Sequence, residues 1–416
     1  MLRRTLLAAA LALVVPAAAL AAEPRWAPIN EALDPYVERG ELAGMITLAR
    51  HKGRVVHASA VGERDLASGA PMRMDTIVRA FSMTKPVTAV AMGVLRDEGK
   101  WKPEDPIAKF LPELAGLKVF KGMGPDGKPI LEAPTSPPTV GQIMTHTAGF
   151  AYGFEAGYVE DLYRANPPMR GQSSAEVIQK IAALPLDYEP GARWKYSIAM
   201  DVQGLIIERI TGRSLPDFMQ ARIFGPLKMV DTGFHVPVGK RDRFAALYEW
   251  KDGKLQPPSA DGLFSSTYDR TPGFASGGGG LVTTASDYGR FGQMLLNGGT
   301  LDGVRILKRE TAREIMTAHL PPQIVTGGFG IGSIQRIRPG YEYGYNGVVI
   351  TDPGAAKVAM GKGSYLWDGA AGTWFWVDPE NQIVFVGLVQ RLMGMGFPPL
   401  QPVSQEAVKR SLAADK

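Results

Sequence analysis

The sequence predicts a mixed α/β (α+β) fold: an antiparallel β-sheet flanked by helices, with an inserted, mostly helical lobe. Three observations predict it. Strand patterns occupy both chain ends, helical patterns fill the middle, and each end carries a hairpin signal that makes neighbouring strands antiparallel. No repeat and no long linker divides the 416 residues. The expectation is one domain over 26–413, with an α/β part from about 26–95 and 320–413 and a helical lobe over about 96–319.

Residues 26–39 read as a helix, with Ile29, Leu33 and Val37 on one stripe. Strand candidates follow at 43–50 and 54–61, around the turn His51-Lys52-Gly53. From 82 to 98 the spacing is helical again: Val87, Val90, Ala91, Val94 and Leu95 recur on one face and Gly99 stops the run. The middle carries helical signals at 139–145, 174–184, 198–211 and 214–224, the first, second and last opening on serine or threonine. Two more follow at 285–297 and 308–319. Strands return at 373–378 and 383–390, flanking Asp378-Pro379-Glu380-Asn381, and a last amphipathic helix covers 403–413. A cleft between the two parts is where a site is expected.

The N-terminus has Arg3 and Arg4, an apolar run from Thr5 to Leu20, and the small residues Ala19, Ala21 and Ala22 around its end. That order describes a secretory signal peptide over 1–21, cleaved after Ala21 or Ala22, and the run is short for a membrane span. A periplasmic or secreted protein is expected. With no cysteine there is neither a lipidated N-terminus nor a disulfide, so the exported chain relies on its own core. The formal charge of +5 drops to +3 without Arg3 and Arg4, and no basic stripe is present, which argues against nucleic acid. The five histidines are scattered outside metal-ligand spacing, so no metal is expected. Nor is a membrane association after cleavage.

The stretch Arg79-Ala80-Phe81-Ser82-Met83-Thr84-Lys85-Pro86 carries the chemical signal. Ser82 and Lys85 are three apart and share a face if a helix starts here. Alone, S-x-x-K is weak. Its context is stronger, because Lys85 falls in the first turn of a segment that must be buried. Desolvation and the positive helix end both push such a lysine toward neutrality, making it a base for the serine proton. The competing machineries are missing: no serine sits in G-x-S-x-G, there is no cysteine, and H-E-x-x-H is absent.

Several blocks in order resemble the serine β-lactamase and penicillin-binding-protein superfamily, in particular class C β-lactamases and family VIII carboxylesterases. They are F-S-M-T-K (81–85), M-T-H-T-A-G-F (144–150), E-P-G-A-R-W-K-Y-S (189–197), R-I-F-G-P-L-K-M-V-D-T-G-F (222–234), S-G-G-G-G-L-V-T-T-A-S-D-Y (276–288) and W-D-G-A-A-G-T-W-F-W-V-D-P (367–379). The resemblance implies a β-lactamase/transpeptidase-like fold, with Ser82 as the acylated nucleophile, Lys85 as its proton partner and Tyr196 as the second-motif tyrosine. A phenol beside a lysine charge is expected to have a lowered pKa and to shuttle a proton. The third motif falls at Trp367-Asp368-Gly369, so Gly369 would permit close substrate approach and the Ala370 amide would join that of Ser82 as an oxyanion hole.

Departures from the lactamase pattern point to the substrate. Ile198 stands where lactamases have the asparagine of Y-x-N, and Trp367 where they have the lysine of K-T-G. Both changes remove recognition of an anionic, amide-bearing ligand. Trp367 is expected in the cleft; Asp368 either disfavours anionic substrates or faces solvent. Phe150 and Tyr152, in an aromatic-rich stretch with Phe154, Tyr158 and Tyr163, are expected to line an acyl pocket, and His146 to be structural. The implied activity is hydrolysis of short to medium carboxylic esters without metal or organic cofactor. The alternatives are a β-lactamase or D-Ala-D-Ala carboxypeptidase, an acyltransferase on the same fold, or a non-catalytic binding protein.

Overall fold

The computed structural model describes residues 24–259, 267–326, 337 and 339–414; the expected signal peptide lies outside them. An eight-stranded sheet forms the centre, antiparallel throughout, in the order Tyr341–Tyr343, Val348–Ile350, Tyr365–Asp368, Trp374–Asp378, Ile383–Val389, Gly44–His51, Arg54–Asp65 and Ala70–Pro71. The first long strand lies beside the last, with Met45 opposite Val389 and His51 opposite Ile383. The two chain ends therefore build one sheet, as the pattern of strands predicted.

Strands 374–378 and 383–389 are buried on both faces, which explains their continuous apolar runs. Trp374 faces the C-terminal helix Leu400–Ala413, where its indole N–H donates to Ser404 Oγ at 3.1 Å. Phe375, on the opposite face, meets Tyr288 of the helix Ala285–Leu296 with ring centroids 4.8 Å apart. That helix comes close because it carries glycines: a Cβ on Gly292 would lie 2.5 Å from Val384 and one on Gly289 2.9 Å from Leu48. The 285–296 helix thus belongs to the sheet layer, so the boundary expected near 319 is too late. The chain rejoins the α/β part some thirty residues earlier.

The predicted helix 26–39 is two pieces, Ala27–Leu33 and Pro35–Glu38, because Pro35 has no N–H to continue the ladder. The 308–319 helix shortens to Arg309–Ile315, and 214–224 becomes an α-turn, Leu215–Met219, followed by π-helical Gln220–Phe224. The middle region also contains two hairpins that sequence reading left out, Val119–Met123 with Pro129–Glu132 and Glu249–Lys251 with Lys254–Gln256. Thr139, Ser173 and Ser214 cap their helices through side-chain oxygens. Among the described residues no helix is long and apolar enough to cross a membrane.

Candidate active site

The helix Thr84–Asp97 is buried over twelve consecutive residues from Thr84 to Leu95. It is reached through a sharp turn: Phe81 has φ of +45°, in the left-handed region that costs a bulky residue energy. The strain sits one residue before Ser82. Tyr288 Oη donates to Met83 O at 2.7 Å and Thr373 Oγ1 to Ala80 O at 3.2 Å, fixing the turn from both sides.

Ser82 Oγ lies 2.6 Å from Tyr196 Oη and accepts from Lys85 Nζ at 3.1 Å. The three residues predicted to work together are in direct contact. Lys85 is fully buried and also donates to Gly278 O at 2.7 Å. Burial lowers its pKa to about 7, with Asp201 opposing the shift. Lys195, adjacent to Tyr196 in sequence, is turned into Glu160 at 2.6 Å and Asp187 at 2.7 Å. The ammonium next to the phenol is therefore that of Lys85, whose Nζ is 4.6 Å from the Tyr196 ring centroid.

One expectation is reversed. The Tyr196 phenol is pushed up, not down, because desolvation outweighs hydrogen bonding from Ser82 and a nearby Trp367 indole N–H that falls short of full hydrogen-bond geometry. At neutral pH Tyr196 is therefore a neutral phenol able both to donate and to accept.

The third-motif strand approaches from the other side. A Cβ on Gly369 would lie 2.3 Å from Ala80 O and 2.2 Å from Thr373 Oγ1, so only glycine lets the strand end reach the backbone just ahead of Ser82. The amides of Ser82 and Ala370 donate to no acceptor among the described residues, although the Ala370 carbonyl is engaged by Met393 N at 2.8 Å.

Residues 29–405 match the beta-lactamase family model. An uncharacterised protein of Mycobacterium tuberculosis is 35% identical over 85% of this chain and 87% of its own. Esterase EstB of Burkholderia gladioli is 29% identical over the same shares. The unliganded simvastatin synthase of Aspergillus terreus superposes with a TM-score of 0.78 at 21% identity, covering 93% of this chain and 98% of that one.

The chain belongs to the beta-lactamase family. It is an enzyme of the serine-hydrolase type within it.

This beta-lactamase-family member rearranges several predicted side chains. Trp367 is fully buried beneath Tyr196 and Tyr343, with ring centroids 5.9 and 5.6 Å away, so it backs the phenol and does not line an open cleft. Phe150 is 1% exposed and belongs to the core, so it cannot form a pocket wall. Tyr163 is likewise core, and Tyr158 stacks on Phe120. Tyr152 remains at the site: it stacks on Tyr196 at 5.2 Å and on Phe154 at 4.5 Å, and Phe154 itself lies 6.3 Å from the Tyr196 ring. Asp368 is buried, which removes the solvent-facing option. Ile198 is buried one residue before the helix Ala199–Thr211.

His146 is buried and tied to Ser197, whose N–H donates to Nδ1 at 3.2 Å while Oγ sits 3.0 Å from the same nitrogen. Burial holds its pKa well below the ordinary histidine value. That suits a structural neutral imidazole packed 4.9 Å from the Tyr196 ring. Among the described residues no group of three or more His, Asp or Glu could hold a metal.

Sequence reading missed the supports. Asn346 Nδ2 donates to Lys85 O at 3.0 Å and to Gln203 Oε1 at 2.7 Å, and Gln203 Nε2 returns a bond to Asn346 Oδ1 at 2.9 Å. Asp201 holds the glycine run 276–280. A signal existed for Asp201: it is an acid in the first turn of a helix that is buried from Ala199 to Ile207 and carries only one other polar side chain there, Gln203.

Proposed function

We propose that this protein hydrolyses uncharged carboxylic esters of short to medium acyl chain through an acyl-enzyme on Ser82, after export to the periplasm or beyond. The observation that carries the reading is the Ser82 hydroxyl held at once by Tyr196 and by a buried lysine, whose pKa burial pushes down to about 7. Ser82 passes its proton to neutral Lys85 while Oγ attacks the ester carbonyl. The oxyanion takes the amides of Ser82 and Ala370, donors worth roughly 3–4 kcal/mol each in such sites. Tyr196 gives its phenolic proton to the departing alkoxide and regains one from Lys85. Water then repeats the sequence in reverse and frees the acid.

An ester substrate is favoured over a β-lactam because neither the amide of a Y-x-N motif nor the cation of K-T-G is present, Ile198 and Trp367 occupying those positions. The likeness to Esterase EstB supports the same choice. Acyl transfer to an alcohol is the second reading, favoured by likeness to fungal acyltransferases such as that of Penicillium decumbens, 25% identical over 80% of both chains. The two readings share the acyl-enzyme and differ only in the acceptor. Purified protein should turn over p-nitrophenyl butyrate well and nitrocefin poorly, with an acyl adduct on Ser82 by mass spectrometry. Wild-type turnover by Ser82→Ala would end this reading. Added alcohols that raise nitrophenolate release and yield a new ester would favour transfer.

A further inference from the structure

The run Ser276-Gly277-Gly278-Gly279-Gly280 passes between the Thr84–Asp97 and Ala199–Thr211 helices at very short range. A Cβ on Gly277 would lie 2.4 Å from Met200 O, and one on Gly278 2.7 Å from Asp201 Oδ2 and 3.1 Å from Tyr152 Oη. On the side of the first helix, Thr88 Oγ1 donates to Gly277 O at 2.7 Å and Lys85 Nζ to Gly278 O at 2.7 Å. On the other side, Asp201 Oδ1 accepts from Ser276 Oγ at 2.5 Å and from Gly278 N at 3.1 Å. One carboxylate oxygen thus fixes the residue whose carbonyl receives the lysine. The other oxygen, Oδ2, has no hydrogen-bond partner among the described residues, and Asp201 is fully buried.

A buried carboxylate left half unpaired is costly unless it compensates a charge. The nearby candidate is Lys85, and the two side chains each favour the charged form of the other against burial. The other groups facing Lys85 carry no negative charge: Tyr196 and Tyr152 are buried phenols pushed above their ordinary range, and His146 is a neutral imidazole.

We propose that Asp201 is a positioning residue for the reaction, anchoring Ser276 and Gly278 so that the Gly278 carbonyl orients Lys85, and supplying the negative charge that balances the lysine when it holds the Ser82 proton. This rests on the reading of Ser82 and Lys85 given above. Asp201 touches neither substrate nor nucleophile; it acts through the glycine run and through its field. Ionised Asp201 keeps the amine of Lys85 basic enough to take a proton inside the core, and Oδ1 keeps it aimed.

The test is the pH profile of kcat/KM for p-nitrophenyl butyrate in Asp201→Asn, which keeps an acceptor at Oδ1 and removes the charge. Without the charge Lys85 loses its proton more readily, so the acid limb should move down by roughly half to one pH unit while kcat at the plateau falls. An acid limb at the wild-type position, whatever the plateau rate, overturns the proposal, because a purely structural carboxylate would not move it. Should Asp201→Asn not fold, Ser276→Ala keeps the charge and removes one anchor. That variant should lose roughly three- to tenfold in kcat with the limb unmoved, and full activity would overturn the anchoring role. Fluorophosphonate labelling of Ser82 in the wild-type protein separates the two levels: labelling with an unmoved limb sinks only the Asp201 proposal, whereas absence of labelling sinks the acyl-enzyme reading.

Discussion

Ser82 and Tyr196 share a 2.6 Å, partly buried hydrogen bond across 114 positions of sequence, with the Tyr196 ring packed against those of Tyr152 and Trp367. Because the phenol is neutral, its contribution is a proton in transit and not a standing negative charge. Tyr196→Phe keeps the ring stack and deletes that relay. It should lower kcat for p-nitrophenyl butyrate by roughly 10²–10³-fold with little change in KM. Steady-state kinetics on the pure variant check it; a loss confined to KM would mean that the phenol binds substrate instead.

Lys85 sets the pH dependence. Its pKa of about 7 in the folded protein means that the neutral, proton-accepting form predominates above that pH and is lost below it. Activity should therefore have an acid limb in kcat/KM near pH 7, falling about tenfold per unit further down. Lys85→Arg keeps the positive charge but cannot release it at any working pH, so turnover should be lost at every pH. Recovery of activity in the arginine variant at high pH would rule out the lysine as base.

Gly369 decides how near the third-motif strand can come. Gly369→Ala would force its Cβ against Ala80 O and Thr373 Oγ1, at 2.3 and 2.2 Å in the unrelaxed backbone. If relief moves Ala370 away from Ser82, the proposed oxyanion site loses one donor. The expected result is a fall in kcat of roughly 10²-fold or more with fluorophosphonate labelling slowed in parallel. Unchanged labelling would mean that the strand end plays no part in binding the oxyanion.

Much of this arrangement was legible in sequence because it depends on local spacing. The Ser82–Lys85 pair follows from helical geometry, and apolar periodicity places helices at 82–98, 198–211 and 285–297, each within two residues of the helices observed at 84–97, 199–211 and 285–296. Residues whose roles come from packing were not legible. Phe150 and Tyr152 stand two apart in one aromatic stretch, yet the core takes the first and the site keeps the second. Trp367 occupies the motif position but is covered by Tyr196 and Tyr343. The direction of the Tyr196 shift was misread for a related reason: a nearby cation is visible in a motif, whereas the desolvation that outweighs it comes from rings distant in sequence.

The sheet contains a pH-sensitive group unrelated to the active site. His57, on strand 54–65, lies 2.7 Å through Nε2 from Thr47 Oγ1 on the neighbouring strand, while Nδ1 has no hydrogen-bond partner among the described residues. Burial lowers its pKa from 6.5 to about 4, because the charged imidazolium would lose its hydration inside the sheet. The unfolded chain therefore binds a proton at this residue near pH 6.5, before the folded chain does. Stability from the neutral imidazole is complete above pH 6.5 and is lost as pH falls toward 4, up to about 3 kcal/mol in total. His57→Gln retains a partner for Thr47 and cannot titrate. Urea unfolding at pH 7 and pH 4.5 should show a smaller loss for the variant than for the wild type. Equal losses would mean that His57 is protonated in the folded sheet, with Nδ1 reached by solvent.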